Sequence, residues 1–171
     1  MNVYNKYNKL TKGRARQAEQ EFINRCIEHD IEYRKATVNE DKYKHHDVYV
    51  KGKSGNEIGI DVKDHKRRNG EPDQKYCVLE ISNAWGYSWC NGTGYIAFKY
   101  NNKFLLVNRT NLQQYISDKI DTNQPKLLMK YKYSMNEEDI AYKLFYRAEA
   151  PKEAIVLVPW TDILNITSKE I

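Results

Sequence analysis

An α+β domain with a mixed, mostly antiparallel sheet is predicted by three features of this chain. An amphipathic helical stretch opens it, short segments of two-residue alternation follow, and no segment repeats. Its 171 residues are 40% hydrophobic and 30% charged, which excludes collagen-like, disordered and low-complexity classes. That length can bury a full core, so residues 13–171 are expected to form one domain behind a polar, basic arm over 1–12.

The elements follow in order. After Gly13, the residues Ala15, Ala18, Phe22, Cys26 and Ile27 recur at helical spacing, predicting a helix over 14–29. Residues 31–36 predict a short strand, and 37–46 a polar loop. Residues 47–51 alternate, with Val48 and Val50 on one face and Asp47, Tyr49 and Lys51 on the other. GKSGN at 52–56 is a turn. Residues 57–63 alternate again. Ile58, Ile60 and Val62 face a core, while Gly59, Asp61 and Lys63 share the opposite face. The two strands and their turn make a hairpin. A charged loop over 64–75 leads to a strand at 76–82 and then to a Trp/Gly-rich segment, NAWGYSWCNGTG. A second hairpin, 95–100 with 103–108, turns at Asn101 and Asn102. A helix over 110–120, strands at 127–133, 142–147 and 154–159, and a short helix at 160–165 complete the chain.

Several function classes are excluded. No apolar run approaches the roughly 18–20 residues of a membrane span, and the N-terminal stretch has no apolar core of a secretory signal. An intracellular, cytoplasmic protein with no membrane partner is expected. Cys26, Cys77 and Cys90 have no CxxC spacing, so they are read as reduced packing residues rather than zinc ligands or a disulfide framework. There is no Gly-rich phosphate loop and no GxSxG, hence no nucleotide cofactor is expected. The net charge of +5 is concentrated in two places. Lys6, Lys9, Lys12, Arg14 and Arg16 precede the first anion, and Lys63, Lys66, Arg67 and Arg68 cluster after a strand. Such clusters attract phosphate backbones. Arg14, Arg16, Lys66, Arg67 and Arg68 are therefore the candidate nucleic-acid contacts, although a solvated surface would carry the same residues.

One constellation carries chemistry. Asp61 and Lys63 are two residues apart on a strand and point the same way. The hairpin brings Asp47 beside them, and the first helix offers Glu19. Carboxylates from two strands and a packed helix make an oxygen-ligand site suited to Mg²⁺ or Mn²⁺. The lysine would orient a water or stabilise charge on a phosphate. Asp61 and Lys63 taken alone are equally an ordinary surface ion pair. Helical periodicity leaves Glu19 and Glu21 both open as the helical member, because they lie about 200° apart and each adjoins the buried stripe at its edge.

This combination resembles the PD-(D/E)xK nuclease superfamily, whose motif is a helical Glu, then Asp, then (Asp/Glu)-x-Lys after a hairpin turn. The matching residues are Glu19, Asp47 and Asp61-Val62-Lys63, with Ile58 and Ile60 as the apolar residues before the triplet. Over about residues 13–68 the chain is most similar to archaeal Holliday-junction resolvases, through Gly13, Gln17-Ala18-Glu19 and Tyr33-Arg34-Lys35. His46 stands where the family often has Pro, and the triplet opens with Asp rather than Glu. The second half resembles small phage-encoded nucleases of the superfamily, through Glu80, Asn83, Gly86, Trp89 and Tyr95 to Phe98.

The resemblance implies a restriction-endonuclease-like core, a central mixed sheet flanked by helices. It implies a Mg²⁺-dependent DNA endonuclease, with Mn²⁺ as substitute, acting on branched DNA as a homodimer. It also implies roles: Asp47, Asp61 and the Val62 carbonyl hold the metal, Lys63 positions the attacking water, and Glu19 holds a second metal or orders a metal-bound water. The match at Gln17-Ala18-Glu19 favours Glu19 over Glu21. Restriction-like, nicking or end-processing nucleases, and a noncatalytic DNA-binding module on the same fold, are the rival expectations.

Weaker features remain. His45 and His46 are expected to be solvent-facing or phosphate-contacting, since neighbours on a strand cannot easily share one ion with Asp47. Glu80 would join the metal site if its strand neighboured that of Asp61, and would otherwise pair with a lysine. Lys75 and Gln74 are further candidates for phosphate contact. Trp85, Tyr87 and Trp89 are expected in core or dimer packing, with base stacking as the alternative.

Overall fold

The apolar stripe of the first segment folds as one long helix, α1 (Val3–Glu28), which continues through residues assigned to the arm. The structure, a computed structural model, describes residues 3–65, 67–68, 71–82, 94–120, 127–128, 140–147 and 150–171. The elements after α1 are β1 (Tyr33–Lys35), α2 (Val38–Lys44), β2 (Val48–Lys51), β3 (Glu57–Lys63), β4 (Arg67–Arg68), β5 (Glu71–Pro72) and β6 (Tyr76–Ser82). Then come β7 (Tyr95–Tyr100), β8 (Lys103–Asn108), α3 (Arg109–Ser117), β9 (Leu127–Leu128), β10 (Leu144–Arg147), β11 (Ala150–Pro159), α4 (Trp160–Ile166) and β12 (Lys169–Glu170). The class is α+β, as expected. The chain, read above as one domain, gathers its contacts into two compact units.

The first unit holds Met1–His65, Thr93–Asn108 and Thr167–Ile171. Its six-stranded sheet has the order β1-β2-β3-β7-β8-β12. It is mixed: β3 and β7 run parallel and the other neighbours antiparallel. One face of this sheet packs on α1. Ala18, Phe22, Ile23 and Cys26 of the helix meet Val48, Ile60, Val62, Ala97, Phe104 and Leu106 of the strands. Phe22 sets its ring edge-on to Phe104, 5.3 Å between centroids. Because strand side chains alternate, burying Ile60 and Val62 against α1 sends Asp61 and Lys63 to the other face.

Two local features differ from expectation. The stretch 37–46 is not all loop: Val38–Lys44 is helical. Thr37 accepts a hydrogen bond from the Glu40 N–H while the Glu40 carboxylate accepts from the Thr37 N–H, a closed capping box. No residue of α2 is buried, so it carries no apolar period. Part of the loop at 64–75 forms the small β4–β5 ladder.

The second unit holds Lys66–Gly92 and Arg109–Ile166. Its four-stranded sheet has the order β6-β11-β10-β9. Ile155 and Leu157 of β11 join Ile140 and Phe145 in one core, and the intervening Ala154, Val156 and Val158 are buried as well. A strand covered on both sides explains the continuous apolar run at its centre. Of the strand expected at 127–133, Leu127–Leu128 is seen, and residues 129–133 lie outside the described residues.

The α1 packing makes a stability prediction. Phe22→Ala empties a fully buried ring site and should cost about 3–5 kcal/mol in urea unfolding. Ile27→Ala, at a residue 56% exposed on the same helix, should change stability by less than about 0.5 kcal/mol.

Candidate active site

The hairpin ladder ends at the pair Val48↔Ile60. Just before it, the Asp47 N–H donates to the Ile60 carbonyl at 2.8 Å. The Asp47 side chain then takes over where the partner strand stops: its Oδ2 accepts from the Val62 N–H at 2.6 Å. One residue back on β3, Asp61 is 4% exposed. Its Oδ1 lies 2.9 Å from Lys63 Nζ. Asp47, Asp61, Val62 and Lys63 are thus brought together by one hairpin.

Burial and the neighbouring Asp61 charge push the Asp47 carboxyl up to about 7. The Val62 N–H and Lys63 act the other way and lose. Glu19 is held above its usual range by burial and by Asp41, with Asp61 adding to the effect and Lys35 and Arg16 opposing it. Its charge is also felt at Asp47. Glu21 behaves differently. Burial works to raise its carboxyl, but hydrogen bonds from Lys99 and Gln17 hold it below its usual range. It forms an ion pair with Lys99. Glu19 thus shares its charge environment with the two aspartates, whereas Glu21 is engaged by Lys99 of β7.

The other expected residues are distributed as follows. Arg14 and Arg16 are exposed on α1, and Arg16 is a charge neighbour of Glu19. Lys66 lies outside the described residues, and Arg67 and Arg68 form β4 in the second unit. Lys75 is exposed and Glu80 half-buried on β6, also in the second unit. The neighbours of β3 are β2 and β7, while β6 pairs with β11, so the strand adjacency considered for Glu80 is not formed. Trp85, Tyr87 and Trp89 lie outside the described residues. The expectation of a solvent-facing His46 is overturned: it is 3% exposed, because glycine at position 59 leaves room for its ring. His45 closes α2 in the left-handed conformation. Asp41, Lys35, Glu40 and Tyr49 were missed. The spacing Thr37-x-x-Glu40 was the available signal for the helix that carries Asp41 and Glu40.

Among the described residues, no three His, Cys, Asp or Glu side chains are gathered closely enough to make a ready metal group. Mg²⁺, however, keeps several waters and is commonly held by one or two carboxylates. Asp47 and Asp61 supply two hard oxygen donors, and a cation there would offset the burial and mutual repulsion that raise Asp47. The donor chemistry fits such an ion.

The electrostatics make a prediction for the metal-free protein. An acid raised from 3.8 to about 7 binds its proton more tightly in the folded chain. It therefore destabilises the fold fully above about 7, and this penalty fades as pH falls towards 3.8. Asp47→Asn keeps an acceptor for Val62 and removes the charge. Its melting temperature should exceed wild type by on the order of a few °C at pH 8, and the gap should close by pH 4. Thermal melts across that range check both the sign and the window. No protein-family model, curated protein or solved structure matches this chain.

Proposed function

We propose that this chain is a Mg²⁺-dependent endodeoxyribonuclease of the PD-(D/E)xK type, with Mn²⁺ as substitute, built on a restriction-endonuclease-like core. Branched DNA, including four-way junctions, is its leading substrate, and a homodimer would supply the paired active sites that symmetric cuts need. One observation carries the reading: Asp47 bonded to Val62 and Asp61 bonded to Lys63 stand on one hairpin, with the helical Glu19 coupled to both aspartates.

The residues divide the work. Asp47, Asp61 and the Val62 carbonyl would hold the ion. When bound, Mg²⁺ supplies a water of lowered pKa and neutralises charge on the reacting phosphate. Lys63, tethered by Asp61, places an ammonium beside that centre, where it orients the attacking water and stabilises the phosphate oxygens. Glu19, with its proton affinity raised, orders water at the edge of the site or holds a second ion. Arg14 and Arg16 offer phosphate contacts that position DNA without reading its sequence, and Lys66, Arg67 and Arg68 are proposed to do the same.

Cleavage of a labelled four-way junction, its linear duplex and its single strand tests this. Paired nicks in the junction are expected with Mg²⁺ and not with EDTA. Lys63→Ala or Asp61→Ala should lower cleavage by at least about 100-fold while leaving junction affinity within about threefold. Equal cutting of duplex or single strand would keep the nuclease and replace the substrate with that of a restriction-like, nicking or end-processing enzyme. Binding without cutting in Mg²⁺ and Mn²⁺ would leave a noncatalytic DNA-binding module.

A further inference from the structure

We infer that His46 is a positioning residue for Asp47, acting through a polar stack that runs from Gly59 to Arg34. Only its metal-binding arm rests on the nuclease reading. His46 immediately precedes Asp47, and its ring is seated over Gly59. A Cβ at position 59 would meet His46 Nδ1, Cε1 and Cγ at 2.1, 2.2 and 2.5 Å, so any side chain there would evict the imidazole. Gly59 is paired in register with Tyr49. The His46 and Tyr49 rings meet edge to face, and His46 Nδ1 is 2.9 Å from the Tyr49 phenol oxygen.

Burial and the Glu40 charge raise the pKa of the Tyr49 phenol. Glu40 is itself held. Arg34 Nη1 and Nη2 reach its two oxygens at 2.9 and 3.0 Å, and the Thr37 N–H reaches it at 2.8 Å. Arg34 lies 4.0 Å above the Tyr49 ring and grips Glu57 through Nε and Nη2 at 2.6 and 2.7 Å.

The consequence falls on Asp47. Its N–H is on Ile60 and its carboxylate on the Val62 N–H, and the residue before it is locked in the Gly59 notch. The imidazole therefore fixes the angle at which the chain enters β2, which aims the Asp47 carboxylate at Val62. Displacements near 1 Å matter at such a site.

The test separates positioning from packing. His46→Phe keeps a ring of similar size and loses the Nδ1 hydrogen bond to the phenol. His46→Asn keeps a side chain that can both donate and accept near the same place. Tyr49→Phe removes the phenol and keeps the ring beneath Arg34. The readout is the Val62 amide in ¹H–¹⁵N spectra and its exchange with solvent. In His46→Phe and Tyr49→Phe this amide should move upfield and exchange about tenfold faster, with the amides of Phe22 and Ile155 unchanged. His46→Asn should retain the wild-type signal. Mn²⁺ affinity by calorimetry should fall about tenfold in His46→Phe. An unchanged Val62 amide in both phenylalanine variants would overturn the inference. If His46→Phe does not fold, Tyr49→Phe decides. If the wild type neither binds Mn²⁺ nor cuts DNA, the nuclease reading fails while the Val62 amide still decides the positioning role.

Discussion

Two aspartates are withdrawn from water on one hairpin, Asp61 buried and Asp47 half-buried, and the local structure of the first unit accommodates them. An unpaired buried carboxylate costs several kcal/mol. Here the cost is met in two ways. The Val62 N–H, left over where β2 ends, is given to Asp47. Lys63 is placed on Asp61. What these do not offset appears as a raised proton affinity at Asp47. The arrangement depends on the opposite face of β3. Ile60 and Val62 are anchored against Ala18, Phe22 and Cys26, and strand alternation then leaves Asp61 and Lys63 no choice of side.

A second constraint keeps that hairpin in place. Helix α2 buries no side chain, so the hydrophobic effect does little to hold it. It is held through Glu40, which closes the capping box and binds Arg34. Arg34 holds the Glu40 carboxyl well below the usual carboxylate range. One carboxylate thus ties α2 to β1. Asp41 rides on the same helix, and its charge raises Glu19. The electrostatics of the candidate site therefore extend to a helix whose attachment is polar.

How much of this was legible follows from the range of each interaction. The strands at 57–63 and 76–82 were readable because alternation is local and strict. So was the face shared by Asp61 and Lys63. The N-terminal turns of α1 were not, because a helix once nucleated extends through polar residues that show no stripe. α2 escaped because its apolar residues, Val38 and Tyr43, share no helical stripe and stay exposed, and its only trace is the pair Thr37 and Glu40. Glu19 and Glu21 could not be separated along the helix, since the group that engages Glu21, Lys99, is on β7. The burial of His46 turns on Gly59, and nothing in a lone glycine announces whose ring it admits. The division of the strands among separate sheets was equally hidden: β6 finds its partner in β11, far along the chain.

The Asp61–Lys63 pair links the two halves of the proposed chemistry. Taken as a partly exposed ion pair it would add little stability, because Lys63 is 39% exposed and solvent screens it. Its value is geometric. Asp61 Oδ1 holds the ammonium on the same face as the carboxylate that would bind a cation. Any ion accepted by Asp47 and Asp61 would therefore find the lysine already beside it. An ammonium and a divalent cation repel, so the tether on Asp61 is what keeps them close enough to act on one phosphate. A longer or more mobile linkage would let Lys63 swing away whenever the ion arrived. The two-residue spacing on a strand prevents that, which is a physical reason for the triplet Asp61-Val62-Lys63 to be built as it is.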